Sequence, residues 1–231
     1  MDNKTKAIDT PFEKHDAYGS LSMPIYHTAA YEFNTAVDMA DAFTGRVIAP
    51  DYSRVMNPTV MYLEDKVKAL TNASNVVAFS SGMAAISNTM LALSATGKNI
   101  VTSRHMFGNT FSLITQSLKR FGVEARPCDL LNLDEVKSKM DDNTCCIFLE
   151  IITNPQMEVA NLAELAAIAH EHHVPLVADT TVIPFTQFSA KNLGVDIEVV
   201  SSTKYLSGGA TSLGGLAIDY GTTQGFGHRM K

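Results

Sequence analysis

Lys204 lies in the run Ser201-Ser202-Thr203-Lys204-Tyr205, just past the apolar stretch Ile197-Glu198-Val199-Val200 and ahead of Ser207-Gly208-Gly209. Lysine is the side chain that condenses with an aldehyde, so a lysine held among hydroxyl groups at a strand end is a candidate Schiff-base former. On its own it reads as a solvated loop residue. Three further turns carry residues that chemistry can use. Asp179 closes Pro175-Leu176-Val177-Ala178 and precedes Thr180-Thr181. A carboxylate at the end of a buried strand either meets a cation or donor or serves as a plain cap. Ser80-Ser81-Gly82-Met83-Ala84-Ala85 links an apolar run to a helix-period one. Small residues there expose backbone N–H groups and the positive end of the helix dipole to an anion, although an ordinary serine N-cap has the same pattern. In Glu150-Ile151-Ile152-Thr153-Asn154-Pro155 the amide of Asn154 is a donor held extended before proline.

Each of these turns falls where a strand must end. Short apolar, β-branched runs at 75–80, 99–103, 123–127, 144–150, 175–179, 197–201 and 213–218 alternate with helix-period segments. The helical segments are 82–94, 109–121, 133–140 and 161–172, with a looser one at 185–192. That alternation predicts parallel strands joined by crossover helices, and runs that are apolar throughout predict strands covered on both faces. The fold class is therefore α/β, a mainly parallel seven-stranded sheet with helices on both faces. In open sheets of this kind ligands bind beyond the carboxyl ends of the strands, where all four turns fall. Residues 1–55 read as an N-terminal arm with one helix, capped at Thr35 and stopped at Gly45. Asn57-Pro58 opens the next helix, and residues 56–231 form one large domain without internal repeat or linker.

A helix N-terminus for a phosphate, a carboxylate for a ring nitrogen and an amine for an aldehyde are together what pyridoxal 5'-phosphate requires. From Ser22 onward the chain resembles the Cys/Met-metabolism, or transsulfuration, family of pyridoxal-phosphate enzymes of fold type I. The stretches that carry the resemblance are PIYHTAAYEF, DYSRVMNPT, SSGMAA, MFGNT, Asn154-Pro155, VADTT and SSTKYLSGG, in that order. The resemblance implies Lys204 as the Schiff-base lysine, Asp179 as the partner of the pyridinium nitrogen and Phe107 stacked on the ring. It also implies Ser81, Gly82, Met83, Ser201 and Thr203 around the phosphate, and Asn154 and Thr181 beside the cofactor. Tyr52 and Arg54 are implied to reach the phosphate of a neighbouring subunit's cofactor, so that sites are shared across a homodimer or homotetramer and the arm makes inter-subunit contacts.

The departures are as informative as the matches. Phe107 replaces the family's usual stacking tyrosine, which keeps the ring contact and removes a phenol able to move protons. Asn109 stands where methionine γ-lyases carry cysteine, and His27 where glutamine is common. The run SSTKYLSGGATSLGG is most similar to O-acetylhomoserine sulfhydrylases. The resemblance thus implies γ-replacement on O-acetyl-L-homoserine by sulfide or a thiol, giving homocysteine in methionine biosynthesis. Methionine or cystathionine γ-lyase and cystathionine γ-synthase activities are the alternatives. The family's C-terminal small domain, with its arginine for the substrate carboxylate, is expected to be absent after Gly227-His228-Arg229-Met230-Lys231, so a cofactor-binding fragment with little turnover is a further reading. A nucleotide-binding module built on the SSGM turn would leave Lys204 and Asp179 without roles, and neither glycine-rich nucleotide fingerprint occurs.

Composition excludes other classes. Of the 231 residues 45% are hydrophobic and only 18% charged, against about 25% in an average soluble domain, a shortage that suits a surface buried against other subunits. With 18 basic against 24 acidic residues and no basic run, nucleic acid is not an expected partner. No apolar stretch reaches the roughly 18–20 residues of a membrane span, and the polar N-terminus lacks a secretory core. The expectation is a cytoplasmic protein without a membrane partner, and the three cysteines, two of them adjacent in the apolar run at Cys145 and Cys146, fit a reducing compartment. His170-Glu171-His172-His173 is not H-E-x-x-H and closes a helix, where imidazoles face the negative dipole end, so no metal site is expected.

Overall fold

The structure, a computed structural model, describes residues 3–12, 18–209 and 211–222. Ala210 and the terminal run 227–231 named above lie outside those residues. The chain divides into two compact units, Met1–Leu70 and Thr71–Lys231.

The first unit holds α1 (Asn3–Ile8), α2 (Ala36–Phe43) and α3 (Pro58–Thr71). Thr35 is extended and its hydroxyl accepts from the Asp38 N–H at 3.1 Å, which caps α2, while Gly45 at φ +70° takes the left-handed turn past its end. Proline at the first position of α3 loses no hydrogen bond, and Asn57 Oδ1 accepts from the Thr59 N–H at 3.0 Å. The Asn57 amide also donates to the Tyr26 carbonyl at 3.0 Å and Ser53 Oγ at 2.9 Å, and the Tyr62 hydroxyl donates to the Thr10 carbonyl at 3.0 Å. These bonds tie α3 to the segment before it within the first unit.

The second unit is one seven-stranded sheet. In chain order its strands are β1 (Asn75–Phe79), β2 (Asn99–Ser103), β3 (Glu124–Cys128), β4 (Thr144–Glu150), β5 (Leu176–Asp179), β6 (Ile197–Val200) and β7 (Gly215–Asp219). Across the sheet they lie in the order β1-β7-β6-β5-β4-β2-β3. The pairs from β3 through β6 are parallel, whereas β7 runs antiparallel to both β6 and β1. The reversal of β7 matters for the site: its first residue, Gly215, lies at the same edge as the carboxyl ends of β1, β4, β5 and β6. Pro127 sits in β3, the edge strand, where a missing N–H costs no ladder bond.

Helices cover both faces. α4 (Gly82–Leu93) contributes Ile86, Met90 and Leu93 to a core with Ile114, Leu118, Cys146, Phe148, Val177 and Val199. Ile147 and Leu149, which point the other way along β4, are just as buried, and α7 (Leu162–Glu171) packs against β4 and β5 there. α6 (Leu133–Lys139) contacts α7 and β3.

Two expected helices differ. Segment 109–121 is α5 (Gly108–Ser112), then a wider π turn Leu113–Ser117 and a 3-10 turn Leu118–Phe121. The Thr115 hydroxyl donates to the Phe111 carbonyl at 2.7 Å and competes for a helical acceptor, which favours the widened turn. The looser helix expected at 185–192 is not formed. Only the 3-10 turn Ala190–Leu193 appears, because extended Ser189 precedes it and Gly194 at φ +86° ends it. Of the described helices none is long and apolar enough to cross a membrane.

Candidate functional site

At the carboxyl edge of the sheet a cleft of about 450 Å³ opens between the turns after β1, β2, β4, β5 and β6. One wall is the start of α4. Ser81 is extended, and its hydroxyl accepts from the Ala84 N–H at 3.1 Å, so the serine is a cap. The first-turn N–H groups of Gly82 and Met83 then have no intrahelical acceptor and, with the helix dipole, form an anion-binding surface. Two glycines make the turn fit. A Cβ on Gly82 would stand 2.6 Å from Ser201 Cβ, and one on Gly215 would stand 2.1 Å from the Ser81 carbonyl oxygen.

Opposite lies the loop from β6 to β7. The Ser201 N–H donates to Thr181 Oγ1 at 2.9 Å, joining the turns after β5 and β6. The Gly214 N–H donates to Thr203 Oγ1 at 3.0 Å, which closes the loop on itself. Lys204 sits on this loop and lines the cleft with Ser201, Thr203 and Tyr205. Asp179 faces the same space from the end of β5. Burial pushes its carboxyl above the usual carboxylate range, while the hydroxyl and the N–H of Thr181, the latter at 2.9 Å, pull the other way. A proton or a cation at Asp179 relieves that cost.

The remaining expected residues divide. Phe107, 45% exposed, and Asn154 also line the cleft, so ten of the twelve cofactor-contact positions read from the sequence are brought together there. Tyr52 and Arg54 are not among its lining residues. They belong to the first unit, where the Arg54 guanidinium lies over the Tyr52 ring at 5.2 Å. The His170 Nε2–H donates to the buried Asp196 carboxylate at 2.8 Å, and the three cysteines are buried and free.

Glu150 is the residue that sequence reasoning passed over. Its Oε1 accepts from the Phe107 N–H at 2.6 Å and its Oε2 from the Asn154 N–H at 3.0 Å. It is 7% exposed, and across the β4–β5 pair its register partner is Asp179. Burial, with a smaller push from the charge of Asp179, raises its carboxyl from 4.5 to about 6 against the two backbone donors. The native state therefore holds a proton, between those two values, that the unfolded chain has released, so this group's contribution to stability falls as pH rises through that window. A shift from 4.5 to about 6 corresponds to about 2 kcal/mol. In denaturant titrations at pH values on either side of the window, wild-type protein should lose about that much more stability than Glu150→Gln. Identical pH dependence in the two proteins would contradict the assignment. The Glu198 carboxyl, fully buried on β6 with the Thr180 and Tyr220 hydroxyls donating to it, is likewise pushed up by burial.

Comparison with known proteins gives this geometry a context. A model of the Cys/Met metabolism PLP-dependent enzymes matches residues 4–230. L-methionine gamma-lyase of Fusobacterium nucleatum is 40% identical over 203 residues, 87% of this chain and 51% of that protein. Homocysteine/cysteine synthase of Saccharomyces cerevisiae is 36% identical over 207 residues, 89% of this chain and 47% of that protein. The chain thus spans about half the length of the curated relatives it matches. The crystal structure of a Campylobacter jejuni protein assigned as an O-acetylhomoserine (thiol)-lyase superimposes with a TM-score of 0.90 at 32% identity, covering 100% of this chain and 56% of that one. That structure carries N'-pyridoxyl-lysine-5'-monophosphate.

Proposed function

The chain belongs to the Cys/Met metabolism family of PLP-dependent enzymes, with their fold type I sheet, and from that premise we propose that it performs γ-replacement on O-acetyl-L-homoserine. In this reaction sulfide or a thiol bonds to Cγ, acetate leaves, and homocysteine or an analogue results. The observation that carries the reading is the convergence of the Lys204 amine, the Asp179 carboxylate and the α4 N-terminus on one cleft. Those groups suit an aldehyde, a protonated ring nitrogen and a phosphate in turn, and Gly82 leaves no room for a Cβ where its helix start meets Ser201. When bound, pyridoxal phosphate supplies an electron sink for charge released at the substrate Cα.

The chain's own residues do the rest. Lys204 would hold the cofactor's aldehyde, and its amine, once free, would take the proton from the substrate Cα. Asp179 would keep a proton on the ring nitrogen. Ser81, Gly82, Met83, Ser201 and Thr203 would bind the phosphate, and Asn154, Thr181 and Phe107 would hold the ring, Phe107 through aromatic contact alone. Tyr52 and Arg54 complete the phosphate site of a neighbouring copy, so the working unit is at least a homodimer divided into arm and cofactor domain. Asn109, where methionine γ-lyases carry cysteine, favours replacement over the lyase reaction, while the identity with the Fusobacterium enzyme makes methionine γ-elimination the second reading.

One pair of assays separates them. Protein loaded with pyridoxal phosphate is expected to form homocysteine from O-acetylhomoserine and sulfide at a kcat/KM at least roughly tenfold above that for 2-oxobutanoate formation from methionine, a difference of about 1.4 kcal/mol in transition-state binding. The reverse order overturns the proposal in favour of elimination.

A further inference from the structure

Phe107 and Asn154 stand on different turns, after β2 and after β4, and neither turn is fixed by a strand hydrogen bond at those residues. Phe107 opens α5 with no side-chain cap, and its N–H goes to Glu150 Oε1 instead. The Asn154 N–H in turn goes to Glu150 Oε2. A single carboxylate therefore ties both turns to the end of β4, at the position beside Asp179. Carboxylate to N–H bonds are short and directional, and removing the acceptor leaves two part-buried N–H groups without the partner that fixes their turns. The cost of burying this carboxylate next to another is borne at the one place where it can hold both turns.

We propose that Glu150 is a positioning residue: by holding the Phe107 and Asn154 N–H groups at once, it sets the aromatic floor and the amide against the two sides of the bound cofactor ring. This rests on the reading of the cleft as a pyridoxal phosphate site. Glu150 touches the backbone of the contacting residues and need not touch the cofactor. Its removal therefore acts through Phe107 and Asn154, and its effect depends on their side chains being present. A merely structural carboxylate would lower stability without that dependence.

The test is a double-mutant cycle on the full chain, read by pyridoxal phosphate dissociation and by the visible circular dichroism of the bound chromophore. Glu150→Gln keeps the shape and one acceptor oxygen, and Glu150→Met fills the same volume with none, so a failure of either to fold leaves the other. In the wild-type background each is expected to weaken cofactor binding roughly tenfold, as for a lost charged hydrogen bond, and to reduce the visible dichroism. In a Phe107→Ala background the same changes should cost less than roughly threefold, the signature of coupling. Additive effects, or variants that match wild type in both readouts, overturn the proposal. A wild-type protein that forms no lysine-linked chromophore overturns the reading of the site, and the clamp with it, before any variant is compared.

Discussion

In the Lys204→Ala variant, the absorbance of lysine-linked pyridoxal phosphate is expected to vanish while the protein stays folded. The Lys204 side chain is exposed, and among the described residues its hydrogen bonds are backbone ones, so truncating it removes little packing. The chemistry loses far more. Without the amine there is no covalent attachment, and without the base the loss in turnover is roughly 10²–10⁴-fold for that role alone. An unchanged absorbance band would place the attachment elsewhere. Unchanged thermal stability alongside the lost band would separate a chemical role from a structural one.

The second large effect concerns a residue with no reactive group. Gly215→Ala is expected to destabilise the second unit by about 3 kcal/mol or more, because the new Cβ has nowhere to go. Its nearest neighbours are the Ser81 carbonyl oxygen at 2.1 Å, the Ser81 carbonyl carbon at 2.5 Å and the Gly82 nitrogen at 2.8 Å, all backbone. Either β7 leaves its register with Phe79 or the α4 start moves. For a chain of this size each kcal/mol shifts Tm by roughly 2–4 °C, so thermal unfolding should show a fall of about 6–12 °C, together with weaker retention of pyridoxal phosphate. A variant with wild-type Tm and cofactor affinity would show that the approach of β7 to the α4 turn is not required.

The contrast between these two residues shows what was legible in the sequence. Lys204, Asp179 and the Ser81-Gly82 turn stood out in combination, an amine, a carboxylate and a small-residue helix start at the ends of separate apolar runs, and local pattern placed the strands; β2 and β4 begin and end where apolar runs do. Gly215 carried no such signal, since its φ is ordinary and its necessity comes from a carbonyl more than a hundred residues away in the chain. Glu150 was visible as a strand-end carboxylate, but its two acceptor bonds reach the turns after two different strands, and no local spacing encodes that. Segment 109–121 has the apolar period of one helix, and its change of pitch follows from a hydroxyl competing for a carbonyl, which periodicity does not register. The antiparallel return of β7 is a matter of sheet topology, and an apolar run reads the same in either direction.

The central claim, that the cleft between the α4 start and the β6–β7 loop is a pyridoxal phosphate site centred on Lys204, is tested most directly by borohydride reduction of the cofactor-loaded protein followed by peptide mass mapping. The predicted result is a single phosphopyridoxyl group on the peptide containing Lys204. A label on another lysine, or none at all, would contradict it.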